Sequence, residues 1–253
     1  MARNSIANAK RIVIKIGSSS LTGNAGSALD SAAVEKIVAI VAAAKSRGAE
    51  VLVVSSGALA AGLAPLGLTS RPKDLATQQA AAAVGQGLLI HRYTESFAKH
   101  SITASQVLMT TEDIVRRVHY QNVQRTLFKL LQLGVVPIVN ENDSVGTQEI
   151  RFGDNDRLAA LVALLIDADL LVLVSDIDAL YDAPPTQVGA KAISEVSDFA
   201  EIAAIEVGGA GSAGVGSGEW LPRSKQLALQ QVLEFQCYSH LLSKQINLLL
   251  APS

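Results

Sequence analysis

The first of four polar loops in the sequence combines a lysine, a glycine and a run of serines. Lys15 stands near the end of a short apolar, β-branched segment, and Gly17 and Ser18 follow it. This combination suits an anionic phosphate group, because the ammonium supplies positive charge and the glycine lets backbone N–H groups approach the anion. An ordinary turn beside a solvent-exposed lysine would have the same sequence. The loop therefore gains meaning only together with the other three.

The second and fourth loops each follow a segment that is predicted to be a strand. Residues 55–58 have the sequence Ser-Ser-Gly-Ala and precede a predicted helix, whose first backbone N–H groups could point at a ligand. Small residues are common in such turns without any function. The fourth loop, Ser175 and Asp176, follows the most apolar predicted strand, where a nucleotide could bind.

The third loop carries the densest group of polar side chains. Residues 140–144 read Asn-Glu-Asn-Asp-Ser, and residues 153–156 read Gly-Asp-Asn-Asp. Such side chains can hold the ammonium and the carboxylate of an amino acid through charge-assisted hydrogen bonds. The alternative is a solvated acidic loop in which Asp154 merely caps a helix.

Short β-branched segments alternate with Ala-rich segments along the chain, and this alternation predicts an α/β fold with a mainly parallel sheet. The predicted strands are residues 12–16, 50–54, 102–108, 135–139 and 170–174. The predicted helices are residues 31–47, 58–66, 75–99, 118–133 and 155–166. All four polar loops follow strand ends, which is the edge where open α/β sheets bind ligands. Residues 176–191 are predicted to form a small hairpin or lid, and the glycine-rich residues 208–218 a loop.

The composition favours a folded protein with a small-molecule ligand. Of the 253 residues, 49% are hydrophobic and 17% are charged, and the formal net charge is -2. This balance gives no field that would attract nucleic acid or an acidic membrane surface. Cys237 is the only cysteine, which excludes an intramolecular disulfide and fits a cytoplasmic location. Asp167 and Asp169 interrupt the longest apolar stretch, so no membrane span and no targeting segment are expected.

Four motifs, in the same order and at similar spacing, resemble those of the glutamate 5-kinases, a group within the amino acid kinase family. They are residues 13–18, 54–58, 140–143 and 153–156. The resemblance runs from about residue 10 to residue 218. Acetylglutamate kinase, uridylate kinase and aspartokinase share the lysine-glycine start but not the paired acidic loops. The resemblance implies a three-layer α/β/α sandwich whose C-terminal part is incomplete in this chain.

The resemblance also implies a reaction, in which the γ-phosphoryl group of ATP is transferred to the γ-carboxylate of L-glutamate. This is the first step of proline biosynthesis. The carboxylate is itself the nucleophile, so no general base is needed. Mg²⁺ is expected to bridge the ATP phosphates through water and phosphate oxygens, and no protein ligand is assigned to it. The implied partners are L-glutamate, ATP and further copies of the same chain, without nucleic acid or membrane.

Roles for individual residues follow from the same resemblance. Lys15 would neutralise charge on the transferring phosphoryl group, and Asp156 would orient catalytic lysines. The residues assigned to glutamate binding are Ser56, Gly57, Asn140, Asp143, Asp154 and Asn155. The residues assigned to ATP binding are Lys15, Gly17, Ser18, Ser175 and Asp176.

The resemblance stops at residue 218. The family continues with Gly-Thr-Gly-Gly-Met-x-Thr-Lys, whose lysine contacts ATP, but this chain continues with Glu219 and Trp220 and has Arg223 near that position. A reading frame moved back by one base can restore Met-Ala-Thr-Lys, so we interpret residues 1–218 as a truncated kinase domain and residues 219–253 as an out-of-frame tail. The alternative is a divergent C-terminus with one amphipathic helix over residues 221–250.

Two other functions remain open on the sequence alone. One is a different member of the same family, most plausibly an acetylglutamate kinase. The other is a catalytically inactive glutamate-binding protein, which the altered tail would explain.

Overall fold

The computed structural model describes a parallel β-sheet with helices packed on both of its faces. The described residues are 8–22, 28–145, 155–175, 180–181, 188–193 and 247–252. Of the predicted hairpin, residues 176–191, only 180–181 and 188–191 are described. Leu180–Tyr181 pair antiparallel with Ala192–Ile193, which lie just beyond its predicted end. The glycine-rich residues 208–218 and residues 219–246 of the tail lie outside the described residues.

The main sheet has six strands, which are β1 (Arg11–Ile16), β2 (Glu50–Ser55), β3 (Ala104–Met109), β4 (Val136–Glu141), β5 (Leu170–Ser175) and β8 (Asn247–Pro252). The separate antiparallel pair consists of β6 (Leu180–Tyr181) and β7 (Ala192–Ile193). The order in the main sheet is β3-β4-β2-β1-β5-β8, and every neighbouring pair is parallel. Because all six strands run in one direction, their carboxyl ends meet at one edge. The loops that follow β1, β2, β4 and β5 start from that edge.

Six α-helices connect the strands in the part of the chain that the structure describes. They are α1 (Ser31–Ser46), α2 (Ala58–Leu63), α3 (Leu75–Ala98), α4 (Thr111–Val115), α5 (Arg117–Gln132) and α6 (Asn155–Leu165). Aspartates begin two of them, since Asp30 accepts a hydrogen bond from the backbone N–H of Ala32 at 2.9 Å and Asp74 from that of Thr77 at 2.8 Å. α1 ends before Gly48, whose φ of +86° is a conformation that glycine adopts without strain.

The sheet separates two hydrophobic clusters, so the described elements form three layers. Alternate residues of β1 face opposite sides: Ile12, Ile14 and Ile16 pack with α1 and α3, whereas Val13 packs with α5 and α6. Lys15 follows the same alternation and faces the α6 side.

α2 and α3 pack through their backbones. A Cβ atom added to Gly85 would lie 1.8 Å from the carbonyl oxygen of Ala58, and one added to Gly62 would lie 1.8 Å from the carbonyl oxygen of Ala81. Both contacts are far shorter than any carbon–oxygen contact allows, so only glycine fits at these two positions. This close packing sets where the following residues of α3 lie relative to the sheet.

The predicted strands and helices are confirmed to within two residues at each end, except that the predicted helix 58–66 is α-helical only to Leu63 and ends in a 3₁₀ helix, Ala64–Leu66. Two elements were not predicted. α4 is a single short turn of helix that Thr110 and Asp113 stabilise by capping each other's backbone N–H groups. β8 lies in the tail and pairs with β5, so residues 247–250 are strand and not part of the amphipathic helix of the alternative interpretation. No helix among the described residues is long and apolar enough to cross a membrane.

Candidate active site

A buried ion pair lies at the carboxyl edge of the sheet. The Nζ atom of Lys15 lies 2.9 Å from Oδ1 of Asp156, and only 5% and 3% of the two residues are exposed. β1 supplies the lysine, and the first turn of α6 supplies the aspartate, where the helix dipole favours a negative charge. The ion pair therefore fixes an ammonium group beside the strand ends, as the charge-neutralising role predicted for Lys15 requires.

Asn155 connects the second predicted loop with both segments of the third. Its Nδ2 atom donates to Oγ of Ser56 at 2.9 Å and to Oδ1 of Asn140 at 3.1 Å, and it lies 3.4 Å from the carbonyl oxygen of Ser55. Only 2% of Asn155 is exposed. The structure thus brings together Ser56 after β2, Asn140 in β4 and Asn155 at the start of α6, although up to 99 residues separate them in sequence.

The loop after β2 is held from two sides. The backbone N–H of Ser56 donates to the carbonyl oxygen of Ile16 at 3.0 Å, which ties this loop to the end of β1. The hydroxyl groups of Ser55 and Tyr93 lie 3.0 Å apart, and burial raises the pKa of Tyr93 well above its usual range. Gly57 then begins α2 with a φ of +103°, a conformation that glycine alone adopts without strain.

The loop after β1 folds back beside the ion pair. A Cβ atom on Gly17 would lie 3.6 Å from Nζ of Lys15, so the glycine leaves the ammonium group open on that side. The carbonyl oxygen of Ser18 accepts hydrogen bonds from the backbone N–H groups of Leu21 and Thr22, both at 3.0 Å. These bonds define a tight turn next to Lys15, and phosphate binding by this loop stays a prediction.

Asp143 lies in a 3₁₀ turn (Asp143–Val145) directly after β4, and the turn packs against α3. Burial raises the pKa of Asp143 from 3.8 to about 6, and the positive charge of Arg71 opposes this rise. Arg71 belongs to the segment between α2 and α3 and was not predicted as a site residue. Burial destabilises the charged form of this carboxylate, so a cationic group of a ligand would stabilise that form strongly.

Gln86 is a second residue that sequence reasoning missed. It lies in α3, and its Oε1 atom accepts a hydrogen bond from Nδ2 of Asn140 at 2.7 Å. The available signal was a glutamine directly after Gly85 in an otherwise Ala-rich helix. Nothing in the sequence alone indicates that this side chain points at β4.

The structure describes only one of the three remaining predicted site residues. Asp154 and Asp176 lie outside the described residues, and Ser175 ends β5, which neighbours β1 in the sheet.

Within the part of the chain that the structure describes, no group of three or more His, Cys, Asp or Glu side chains could hold a metal ion.

Comparison with known proteins agrees with this arrangement. The sequence model described as "Amino acid kinase family" matches residues 10–232. A protein of Salinispora arenicola named glutamate 5-kinase is 59% identical over 216 residues, which are 85% of this chain and 58% of that protein. One of Leifsonia xyli subsp. xyli with the same name is 52% identical over 233 residues, which are 92% of this chain and 83% of that protein.

A solved structure shares the fold. The UMP kinase of Ureaplasma parvum superposes with a TM-score of 0.57 at 16% identity, covering 96% of this chain and 89% of that chain. The first curated relatives are considerably longer than this chain, which spans 58% of the Salinispora protein. The family match nevertheless covers most of the 253 residues and includes Lys15, Asn140, Asn155 and Asp156. This chain therefore belongs to the amino acid kinase family.

Proposed function

We propose that this chain binds L-glutamate and ATP at the carboxyl edge of its sheet and transfers the γ-phosphoryl group to the glutamate side-chain carboxylate. The observation that carries this proposal is the contact of Asn155 with both Ser56 and Asn140, beside the ion pair of Lys15 and Asp156. Three polar side chains suited to an amino acid thus lie next to a cation suited to a phosphoryl group.

Lys15 is the residue that would act on the transferring group. Phosphoryl transfer depends mainly on positioning and on electrostatic stabilisation of the transition state. An ammonium group that is already fixed by Asp156 requires little reorganisation when charge moves onto the phosphoryl oxygens. The glutamate carboxylate attacks directly, so the site needs no general base, and we assign none.

The glutamate side of the site would be formed by Ser56, Asn140, Asp143 and Asn155. Asp143 favours a free amino acid, because its half-buried carboxylate gains most from a full positive charge on the ligand. An N-acetylated amino acid has no such charge. This difference supports glutamate over N-acetylglutamate, and the named relatives are glutamate 5-kinases.

Gly17, Ser18 and Ser175 are proposed for the ATP side, together with Asp176. Mg²⁺ would be held mainly by phosphate oxygens and water. We place the protein in the cytoplasm as a homo-oligomer, in line with its single cysteine and with its family.

A substrate panel tests the proposal. The chain is incubated with ATP, Mg²⁺ and one of L-glutamate, N-acetyl-L-glutamate, L-aspartate or UMP. Release of ADP measures turnover of every substrate, and acyl phosphate from the carboxylate substrates is trapped with hydroxylamine as the hydroxamate. We expect product with glutamate alone, in small amounts if the tail lacks the ATP-side lysine, and none from a Lys15→Met variant. Faster turnover of N-acetylglutamate or UMP would contradict the proposal. Glutamate binding by calorimetry without turnover would instead identify an inactive binding protein.

A further inference from the structure

The side-chain amides of Asn140 and Asn155 have a fixed orientation. The oxygen and the nitrogen of such an amide can exchange places by rotation, so the hydrogen-bond partners must decide between the two orientations. Here the backbone N–H of Glu141 donates to Oδ1 of Asn140 at 2.9 Å. A backbone N–H can only donate, so Oδ1 of Asn140 must face it.

The orientation of Asn155 follows from that of Asn140. Since Oδ1 of Asn140 can only accept, the group of Asn155 that contacts it at 3.1 Å must be the NH₂ group. The same NH₂ group also donates to Ser56. The carbonyl oxygen of Asn155 is thereby left as a buried acceptor that has no hydrogen-bond partner within the described part of the chain.

Gln86 completes this series at its other end. With its oxygen facing Glu141, Asn140 must direct its NH₂ group at an acceptor, and that acceptor is Oε1 of Gln86 at 2.7 Å. Gln86 is itself 9% exposed, so water does not readily replace it. Removing Gln86 would leave a buried donor without an acceptor, and we expect Asn140 to rotate away from Asn155 in response.

We propose that Gln86 is a positioning residue for amino acid selection, because it holds Asn140 so that Asn155 presents its carbonyl oxygen to the α-ammonium group of glutamate. The inference rests on the proposed function, since it assumes that glutamate binds beside Asn155. A free carbonyl oxygen favours an ammonium donor over a carboxylate, which would repel it. Gln86 does not need to touch the ligand for this effect.

Glutamate and glutarate distinguish this role from a purely structural one. Glutarate has the same two carboxylates and the same chain length but no ammonium group. If Gln86 acts through Asn155, its loss should weaken glutamate binding and spare glutarate binding. A general loosening of the site would weaken both ligands equally.

The test is calorimetric titration of the whole chain with each ligand, for the parent and for Gln86→Met and Gln86→Glu. Methionine has a similar shape but no acceptor, and we expect it to lower glutamate affinity about ten-fold and glutarate affinity less than about three-fold. The Gln86→Glu variant keeps an acceptor for Asn140. It should preserve the ratio of glutamate affinity to glutarate affinity, or raise it. Gln124→Met is the matched control, because Gln124 donates a hydrogen bond to the carbonyl oxygen of Leu165 in α6, outside the hydrogen-bond series of the site.

The possible results distinguish a failure of the role inferred for Gln86 from a failure of the proposed function. Equal losses for both ligands in Gln86→Met, or no loss for either, would overturn the inference while leaving the proposed function intact. A Gln86→Glu variant that folds, as judged by thermal unfolding, but loses the ratio as fully as Gln86→Met would also overturn it. A parent chain that binds no glutamate would refute the proposed function itself, and the inference with it.

Discussion

The ammonium nitrogen of Lys15 and the Oδ1 atom of Asp156 are 2.9 Å apart, although 141 residues separate them in sequence. Both side chains are almost completely buried. Two charges that are withdrawn from water in this way depend on each other, because either one alone would be buried without compensation. The pair therefore links the central strand to α6 as well as serving the chemistry that we propose.

Lys15→Met should destabilise the fold as well as abolish transfer. Breaking a buried ion pair by removing one partner typically costs about 3–5 kcal/mol. We expect Asp156→Asn to destabilise too, and the double variant to cost clearly less than the sum of the two single variants. Urea unfolding of the four proteins gives the coupling free energy. Additive effects within about 0.5 kcal/mol would show that the two side chains do not depend on each other.

Glutamate affinity should rise with pH through about pH 6. Asp143 has its pKa raised to about 6, so it is protonated below this pH and cannot attract the ligand ammonium group. The ammonium group stays charged over this range, so affinity should increase roughly ten-fold between pH 5 and pH 7. Calorimetry at several pH values measures this. An Asp143→Asn variant should bind weakly and show no such rise, and an equal rise in that variant would assign the titration to another group.

Stability should change in the opposite direction over the same range. The folded-state pKa of Asp143, about 6, lies above its ordinary value of 3.8, so the native state binds this proton more tightly than the unfolded state does. The contribution of Asp143 to stability is therefore fully present below about pH 4 and is lost as the pH rises through about 6. The difference in unfolding free energy between the parent and Asp143→Asn, measured across this range, should show that slope.

Two glycines of α3 should respond to alanine with opposite signs. A Cβ atom at Gly85 would collide with the carbonyl oxygen of Ala58, whereas one at Gly87 would meet no atom within 4 Å. Gly85→Ala should destabilise the protein by roughly 1–3 kcal/mol or more, because α2 and α3 must separate. Gly87→Ala should stabilise it by roughly 0.5–1 kcal/mol through helix propensity. Thermal unfolding of both variants measures the difference, and a loss of similar size at both positions would refute the close packing.

The tail should limit activity. If residues 219–253 are out of frame, the chain lacks the family's ATP-side lysine and should show little kinase activity. Inserting one base before codon 219 should restore Met-Ala-Thr-Lys and yield ATP-dependent hydroxamate. Turnover of glutamate above about 1 s⁻¹ by the 253-residue chain itself would show that the tail is a working replacement.

Strand and helix positions could be predicted because the sequence patterns and the packing agree. Ile12, Ile14 and Ile16 form a β-branched strand that is buried in the structure, and Asp74 and Gly48 mark helix ends that are observed. α4 escaped prediction because it consists of only five residues, too few to show a helical period. The pairing of β8 depends on residues more than 70 positions away, and no local pattern indicates it.

The site was predictable where a motif places a residue directly at the end of a strand or at the start of a helix. Lys15, Asn140 and Asn155 belong to such motifs, and the structure brings them to one edge of the sheet. Gln86 was not predictable, because its role depends on the angle and depth at which α3 packs on the sheet. That packing depends on the contact of Gly85 with α2, which is a property of two helices and not of either one alone.

The position of β1 in the sheet has a consequence for synthesis on the ribosome. β1 is the first strand to be made, yet it lies between β2 and β5, and its residues Ile12 to Ile16 pair with residues 170–174. Pairing with β2 can follow soon after synthesis, but the other edge of β1 has no partner until about 160 further residues have been added. During that interval an apolar strand has an open edge, which is the kind of surface that misassembles with other chains. Lys15 also lacks its partner Asp156 during that interval, because the aspartate is synthesised 141 residues later. The lysine can therefore be buried as an ion pair only after α6 has been made.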